Sequence, residues 1–359
     1  MLYAQLASRL SEQPFDRWIA PSWPPGWYME GLYREHPAGA FWPPALLARG
    51  GYPAGQAAYA INAAYQVLSL ACLAALASSV VPSVEARALT WMLQLLPIAF
   101  TFRVRANQEQ AVLLFLALAV LGTERARKSA RWGALVAFGL AGLVLVKGVL
   151  GLLGPAVCAL WLLARRDHEG SAGRAWAALA AGVAIAGLTA LAYEALYGAA
   201  TGQSFLSDYL TRQLGLAAAP HSTALVGQKA YNLFWYLARL LWFPFPFTIA
   251  LLVAALRRED GPEPAPRAGL VFALGVAALY LLLFSLSDRR ADRYIFPAYY
   301  ALGAAGALVA VRRWSWCRRV AERADRHPAL PAALFVLLFA LHAAAGRLGV
   351  PTVKLWAPD

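Results

Sequence analysis

The sequence predicts an all-α fold: a polytopic bundle of about ten transmembrane helices, with short interfacial helices on the non-cytoplasmic side. Three observations carry this. Of the 359 residues, 60% are hydrophobic and 14% charged, with a mean hydropathy of +0.51, far more apolar than ordinary globular composition. Uncharged apolar stretches of roughly 17–25 residues recur along the chain, each long enough to cross hydrocarbon as a helix. The Lys and Arg residues fall mostly in short loops between those stretches.

Residues 1–54 precede the first long apolar run. Leu2, Leu6 and Leu10 recur every four residues, so Leu2–Glu12 reads as an amphipathic helix lying along the membrane surface. The Pro- and Trp-rich stretch Pro14–Pro53 reads as irregular. It contains MEGLYREHPAGAFWPP (Met29–Pro44), which packs Glu30, Arg34, Glu35 and His36 among prolines and aromatics. Trp27, Tyr28, Phe41 and Trp42 read as an interfacial aromatic belt, with Arg34 at headgroup level. Spans follow near 56–79, 86–102, 108–122, 132–147, 149–164, 174–198, 232–256, 267–287, 294–311 and 328–346, the third to fifth being short. The resulting organisation is an interfacial segment (1–54), a transmembrane domain (55–346) and a short tail (347–359).

If these spans alternate, four basic clusters share one side: Arg125–Arg131, Arg165–Arg174, Arg257–Arg267 and Arg312–Arg326. The positive-inside rule makes that side cytoplasmic. The net charge of +13 therefore follows from topology and anionic lipid, not from nucleic acid. Cys72 and Cys158 lie in apolar spans and Cys317 in a basic loop, with no metal-type spacing. The first residues contain no signal-peptide apolar core, so the polar segment 1–54 must cross unaided or follow an earlier span. The second alternative is preferred.

The opposite face then receives residues 1–54, Arg103–Glu109, Lys147-Gly148, the loop Gly198–Ala230 and Ser287–Tyr294. Ionisable groups held at membrane depth are costly and by default mark a site. Glu109, in RVRANQEQ, opens a span. Dipole stabilisation accounts for it alone, but together with Arg103 and Arg105 it suits a general base beside an anionic phosphate. Lys147 interrupts an apolar run, either snorkelling or facing a lipid-linked phosphate; the latter is preferred. Gly148 admits a close approach. His221 is bracketed by Arg212 and Lys229. Arg293 and Tyr294 head a span, as an interfacial anchor or as phosphate binders. Asp288 and Asp292 are expected to pair with neighbouring arginines.

The order of these features resembles a known family. An amphipathic segment, Glu35-His36-Pro37, RVRANQEQ heading a span, Lys147-Gly148, GQSFLSDYLTRQLG with a later His221, and Arg293-Tyr294-Ile295-Phe296-Pro297 together look like the C-type membrane glycosyltransferases. The match is to their protein-mannosyltransferase and lipid A aminoarabinose-transferase superfamily, over residues 2–311. The resemblance implies an inverting sugar transfer from a polyprenyl-phosphate donor to a lipid, protein or glycan acceptor, at the non-cytoplasmic face of a bacterial inner membrane. It implies Glu109 and Glu35 as catalytic carboxylates. The phosphate would be bound by Arg103, Arg105, Lys147, Arg212 and Arg293, with His36 and Tyr294. A divalent metal at Glu35 and His221 is a further implication.

Family members open with a span ending in an acidic residue, often Asp-Glu, thought to be the catalytic base, just before the segment matched by Leu2–Leu10. This chain starts after that point, so the family comparison and the export argument both imply an earlier span. A lipid-linked oligosaccharide ligase or polymerase, or a non-catalytic membrane relative, is the alternative function. A transporter would want internal repeats and polar residues near mid-membrane, and the polar residues here sit at span ends.

Overall fold

The computed structural model describes residues 2–26, 31–103, 105–165, 170–214, 223–256, 267–287, 290–327 and 329–347. All regular structure among them is helical; the one β feature is an isolated antiparallel bridge between Ser22 and Leu32. Five helical segments are long and apolar enough to cross a membrane: Ala54–Ala77, Ala130–Lys147, Ala172–Thr201, Arg267–Ser285 and Asp292–Arg313. Two bent pairs raise the number to seven if each counts as one span: Gly227–Trp242 with Phe247–Leu256, and Ser315–Arg326 with Ala329–His342. The protein is an integral membrane protein built as a polytopic helical bundle.

Of the remaining expected spans, 108–122 forms the unbroken helix Glu109–Ala126; others are broken or shorter, and the breaks have local causes. The stretch 86–102 divides into helices Ser83–Met92 and Pro97–Arg103. Pro97 disfavours helical geometry at the residue before it, and Leu96 is accordingly extended (φ −62°, ψ 135°). The stretch 149–164 begins with a short 3-10 turn, Gly148–Leu152, before helix Leu153–Ala164. The span expected at 232–256 turns by 100° at Phe243-Pro244-Phe245-Pro246. The 198–230 stretch, expected as a loop, contains helix Phe205–Leu214 and the start of Thr223–Trp242.

The chain divides into two compact units. One comprises 1–69, 105–159 and 169–219; the other comprises 70–104, 160–168 and 220–359. In the first, Glu109–Ala126 packs against Gly133–Lys147 through small residues. A Cβ on Gly139 would lie 2.6 Å from the Phe115 carbonyl oxygen, and one on Gly122 would lie 2.8 Å from the Val136 nitrogen. Small residues at such contacts let backbones approach where no hydrophobic drive separates protein from lipid. In the second unit, Phe296–Arg313 is buried along most of its length, and Gly306 is pressed against Phe247 in the same way.

The amphipathic helix forms at Leu2–Glu12 and buries Leu6 and Leu10 as its periodicity predicts. The Pro-rich stretch is more ordered than expected. It carries 3-10 turns at Phe15–Ile19 and Ala38–Ala40 and an α-helix at Trp42–Arg49, because Pro43 and Pro44 occupy the first helical turn, where no donor is needed. The interfacial-belt reading is corrected at Phe41, which is buried in a core with Leu6, Leu10, Trp18, Trp23 and Tyr33. The apolar face of the first helix needs a partner, and these aromatics supply it. Trp27 and Tyr28 lie outside the described residues.

Candidate functional site

In the first unit, the Glu-His-Pro loop is tied to neighbouring helices at several points. Arg34, read from sequence as a headgroup-level cation, is ion-paired with Asp208 on helix Phe205–Leu214. The Tyr193 hydroxyl accepts from the Ala38 amide at 2.9 Å and donates to the Ile19 carbonyl at 2.8 Å. Tyr193 packs with Tyr197, Phe205 and Tyr209 in one buried aromatic cluster. One hydroxyl thus satisfies two backbone groups from separate loops. Tyr193→Phe is expected to lower stability by about 1–3 kcal/mol, through a buried amide left unpaired. Thermal unfolding in detergent measures this, and an unchanged midpoint would refute the anchoring role.

This scaffold carries a buried polar cluster. Glu109 is the first residue of Glu109–Ala126, and Lys147 the last of Gly133–Lys147. The two helices pack together, so the chain reversal between them brings these ends into contact. The Lys147 ammonium lies 3.3 Å from Glu109 Oε1, with Glu109 2% and Lys147 6% exposed. Lys147 therefore turns inward and does not snorkel. Among the described residues, Glu109 Oε2 is buried without a hydrogen-bond partner. With its amide oriented to match its neighbours, Gln108 donates to Val146 O at 3.1 Å and to Tyr3 Oη at 3.3 Å. Its oxygen accepts from His36 Nε2 at 3.0 Å and from Lys147 Nζ. His36, at 9% exposure, belongs to the same cluster.

Gly148 makes this geometry possible. Its φ of +63° with ψ −135° ends the helix directly after Lys147. In that conformation Lys147 presents its carbonyl to the Tyr209 hydroxyl, which donates at 2.9 Å. The close approach expected of Gly148 is made by protein: Tyr209 and Pro37 pack where a Cβ would stand.

The other expected residues fall as follows. Glu35 is half-buried at the bend before His36, and Arg105 is half-buried in the segment leading into Glu109. Arg212 is in helix Phe205–Leu214, with its side chain outside the described positions. In the second unit, Arg103 is fully buried and donates to the Gln94 carbonyl at 2.7 Å, across the break before Pro97. That carbonyl sits where the helix is interrupted, so Arg103 has a structural task the sequence reading did not foresee. Arg293 is exposed, 5.9 Å from the Tyr294 ring centroid, and Tyr294 stacks on Phe284. Asp292 accepts from Arg239 at 3.2 Å. His221 and Asp288 lie outside the described residues. Among those described, no three His, Cys, Asp or Glu side chains come together to make a metal ligand set around Glu35.

Sequence reasoning passed over Gln108, Tyr3 and Tyr209. Gln108 stood inside a motif already singled out; an amide directly before a helix-opening carboxylate is a usable signal. Nothing local marks Tyr3 or Tyr209, because their partners are distant in sequence.

Comparison with known proteins bears on this arrangement. Residues 35–193 match the model of the family described as Dolichyl-phosphate-mannose-protein mannosyltransferase. That region includes Glu35, His36, Gln108, Glu109, Lys147 and Gly148. The structure is similar to that of ArnT from Cupriavidus metallidurans bound to undecaprenyl phosphate, with a TM-score of 0.62 and 16% identity, covering 99% of this chain and 69% of that one. The apo state of the same protein gives a TM-score of 0.60 at 17% identity, with 99% and 68% covered. The chain shares the fold of ArnT. None of the curated proteins compared matches it in sequence. The glycosyltransferase resemblance is thus joined by a sequence match over residues 35–193 and by the fold, and the polar cluster apart from Tyr3 lies within the matched region.

Proposed function

We propose that this glycosyltransferase-fold chain transfers a sugar from a polyprenyl-phosphate donor to a hydroxyl- or amine-bearing acceptor on a lipid, protein or glycan. The observation that carries the proposal is the buried Lys147–Glu109 pair, with a carboxylate oxygen left unpartnered among the described residues, where the end of one helix meets the start of its neighbour. Undecaprenyl phosphate in one of the similar structures supports a donor of this lipid class.

The chemistry is a single displacement. The acceptor heteroatom attacks the anomeric carbon while its proton passes to a carboxylate. The bond from that carbon to the phosphate oxygen breaks, and polyprenyl phosphate departs with the electron pair. One displacement inverts the anomeric centre. Glu109 Oε2, buried and open for a proton, is the base we assign; Glu35, half-buried on the adjacent loop, serves the acceptor. Lys147, with Arg105 and Arg212, carries the negative charge that develops on the leaving phosphate. A preorganised cation in a water-poor site is worth about 3–4 kcal/mol of barrier. The Gln108 amide oxygen, which also accepts from His36 Nε2, accepts from the Lys147 ammonium and holds it in line. Such a site faces the non-cytoplasmic side of a bacterial inner membrane, where the sequence topology puts it.

The test is transfer in proteoliposomes from synthetic polyprenyl-phosphate sugars. Glu109→Gln is expected to reduce transfer by about 100-fold or more, with the protein still inserted. Arg293→Ala tests the sequence-derived role of that residue in the same assay. Wild-type rates in Glu109→Gln, Lys147→Ala and Arg293→Ala together, or a product with retained anomeric configuration, would overturn the reading.

A further inference from the structure

In the second unit, the chain leaves the buried helix Phe296–Arg313 and runs at once into a helix of different character, Ser315–Arg326. Six of its 12 residues are charged, so it does not enter hydrocarbon itself. The chain turns by 101° between it and the apolar helix Ala329–His342. It therefore lies across the helix that follows, as an interfacial helix does. Its inner face buries Cys317 and Ala321, one turn apart, and packs on Ser83–Met92 and Phe296–Arg313.

The apolar residues fall on one continuous arc of this helix. Cys317 and Ala321 are covered by protein. Trp316 and Val320, the adjoining row at i and i+4, are not, being 60% and 41% exposed. Trp316 stacks on Trp314, with ring centroids 6.4 Å apart. Arg319 and Arg323 follow three residues after Trp316 and Val320, so they border this uncovered strip, and both are exposed. The charges divide in the same way. Between 312 and 326 stand six arginines and two acids. Both acids are engaged: Asp325 pairs with Arg87, and Glu322 with Arg318 at 3.2 Å. Arg312 is held by Glu85 at 2.7 Å. Arg319 and Arg323 pair with no carboxylate among the described residues.

An indole and an isopropyl group left uncovered beside two guanidinium groups without a counter-charge fit a surface that is apolar on one side and anionic on the other. A phospholipid leaflet is such a surface, and it is already at hand because both flanking helices are apolar. The positive-inside pattern puts this end at the cytoplasmic leaflet, which carries anionic lipid. We infer that the strip of Trp316, Arg319, Val320 and Arg323 docks on anionic phospholipid headgroups, with the indole below the phosphates and the two guanidinium groups on them. Nothing in this depends on the transferase reading.

Photocrosslinking tests it. The full chain is reconstituted in phosphatidylcholine vesicles with a trace of photoactivatable phosphatidylglycerol, or of phosphatidylcholine carrying the same probe. Labelled positions are read by peptide mass spectrometry. One basic side chain at an anionic surface is worth about five-fold in local binding, so two arginines give about 25-fold more labelling of 314–327 by the anionic lipid. Arg319→Gln with Arg323→Gln brings that ratio towards one. Arg318→Gln with Glu322→Gln, which removes an exposed pair of no net charge, leaves it unchanged. Trp316→Ala lowers labelling by both lipids. Should the arginine variant fail to insert, raised salt on the wild type gives the same reading, because screening lowers the ratio. Equal labelling by the two lipids, or a ratio that survives both the arginine variant and raised salt, overturns the inference and leaves the strip to a soluble partner. Labelling abolished by glycerophosphoglycerol, the same headgroup without chains, overturns it too and marks a soluble-anion site instead.

Discussion

Lys147→Ala is expected to destabilise the protein by about 3–5 kcal/mol as well as to abolish transfer, because it strands the Glu109 carboxylate in a buried position without its cation. Both groups are all but sealed from solvent, and the ammonium lies 3.3 Å from Oε1. Removing one member of such a pair leaves an uncompensated charge; removing both leaves none. The double substitution Glu109→Gln with Lys147→Met should therefore recover most of the lost stability and none of the activity. Thermal unfolding in detergent alongside the proteoliposome assay separates the two effects. If Lys147→Ala unfolds at the wild-type temperature, the pair is not buried as described. If the double variant regains transfer, neither residue takes part in the chemistry.

Gly148→Ala is expected to cost about 2–5 kcal/mol and to depress transfer even in the fraction that folds. Two separate costs combine. A φ of +63° with ψ −135° lies in a region that side chains rarely occupy. A Cβ there would also stand 2.9 Å from Tyr209 Cζ, 3.0 Å from its hydroxyl oxygen and 3.2 Å from Pro37 Cδ. Tyr209 cannot swing away without giving up its hydrogen bond to the Lys147 carbonyl. Pro37 cannot move without shifting the loop that carries Glu35 and His36. The substitution therefore displaces Lys147 on one side or the Glu-His-Pro loop on the other. Tyr209→Phe, which loses the hydroxyl alone, should cost only about 1 kcal/mol. A Gly148→Ala protein with wild-type melting and wild-type rate would show that the turn is not a constraint.

The legible parts of this molecule are those governed by local rules. Apolar runs and loop charge mark a membrane bundle, and the four-residue leucine repeat marks the first helix to its ends. Gly148 and Pro97 also announce interruptions from sequence, although the reading carried a continuous span through 86–102. The less legible parts are long-range. Phe41 looks like an interfacial aromatic until the helix at Leu2–Glu12 is laid over it. Arg34 looks like a headgroup cation until Asp208, far along the chain, is brought beside it. Arg103 shares its turn with Arg105 in sequence, and only the break at Leu96 reveals the carbonyl that takes its guanidinium.

By itself the sequence determined the solvent and the chemical alphabet: a chain this apolar must bury its backbone polar groups in helices, and Glu109 and Lys147 stand at the ends of theirs. It also contained the stretch 35–193 that matches the model of the family described as Dolichyl-phosphate-mannose-protein mannosyltransferase. Only the tertiary structure decided which of those residues meet. Lys147 and Glu109 are 38 positions apart, and Tyr209 reaches Lys147 across 62. Such contacts depend on how small residues let two helices approach and on where a single glycine turns the chain. Both are properties of packing, which periodicity along one strand of sequence does not encode.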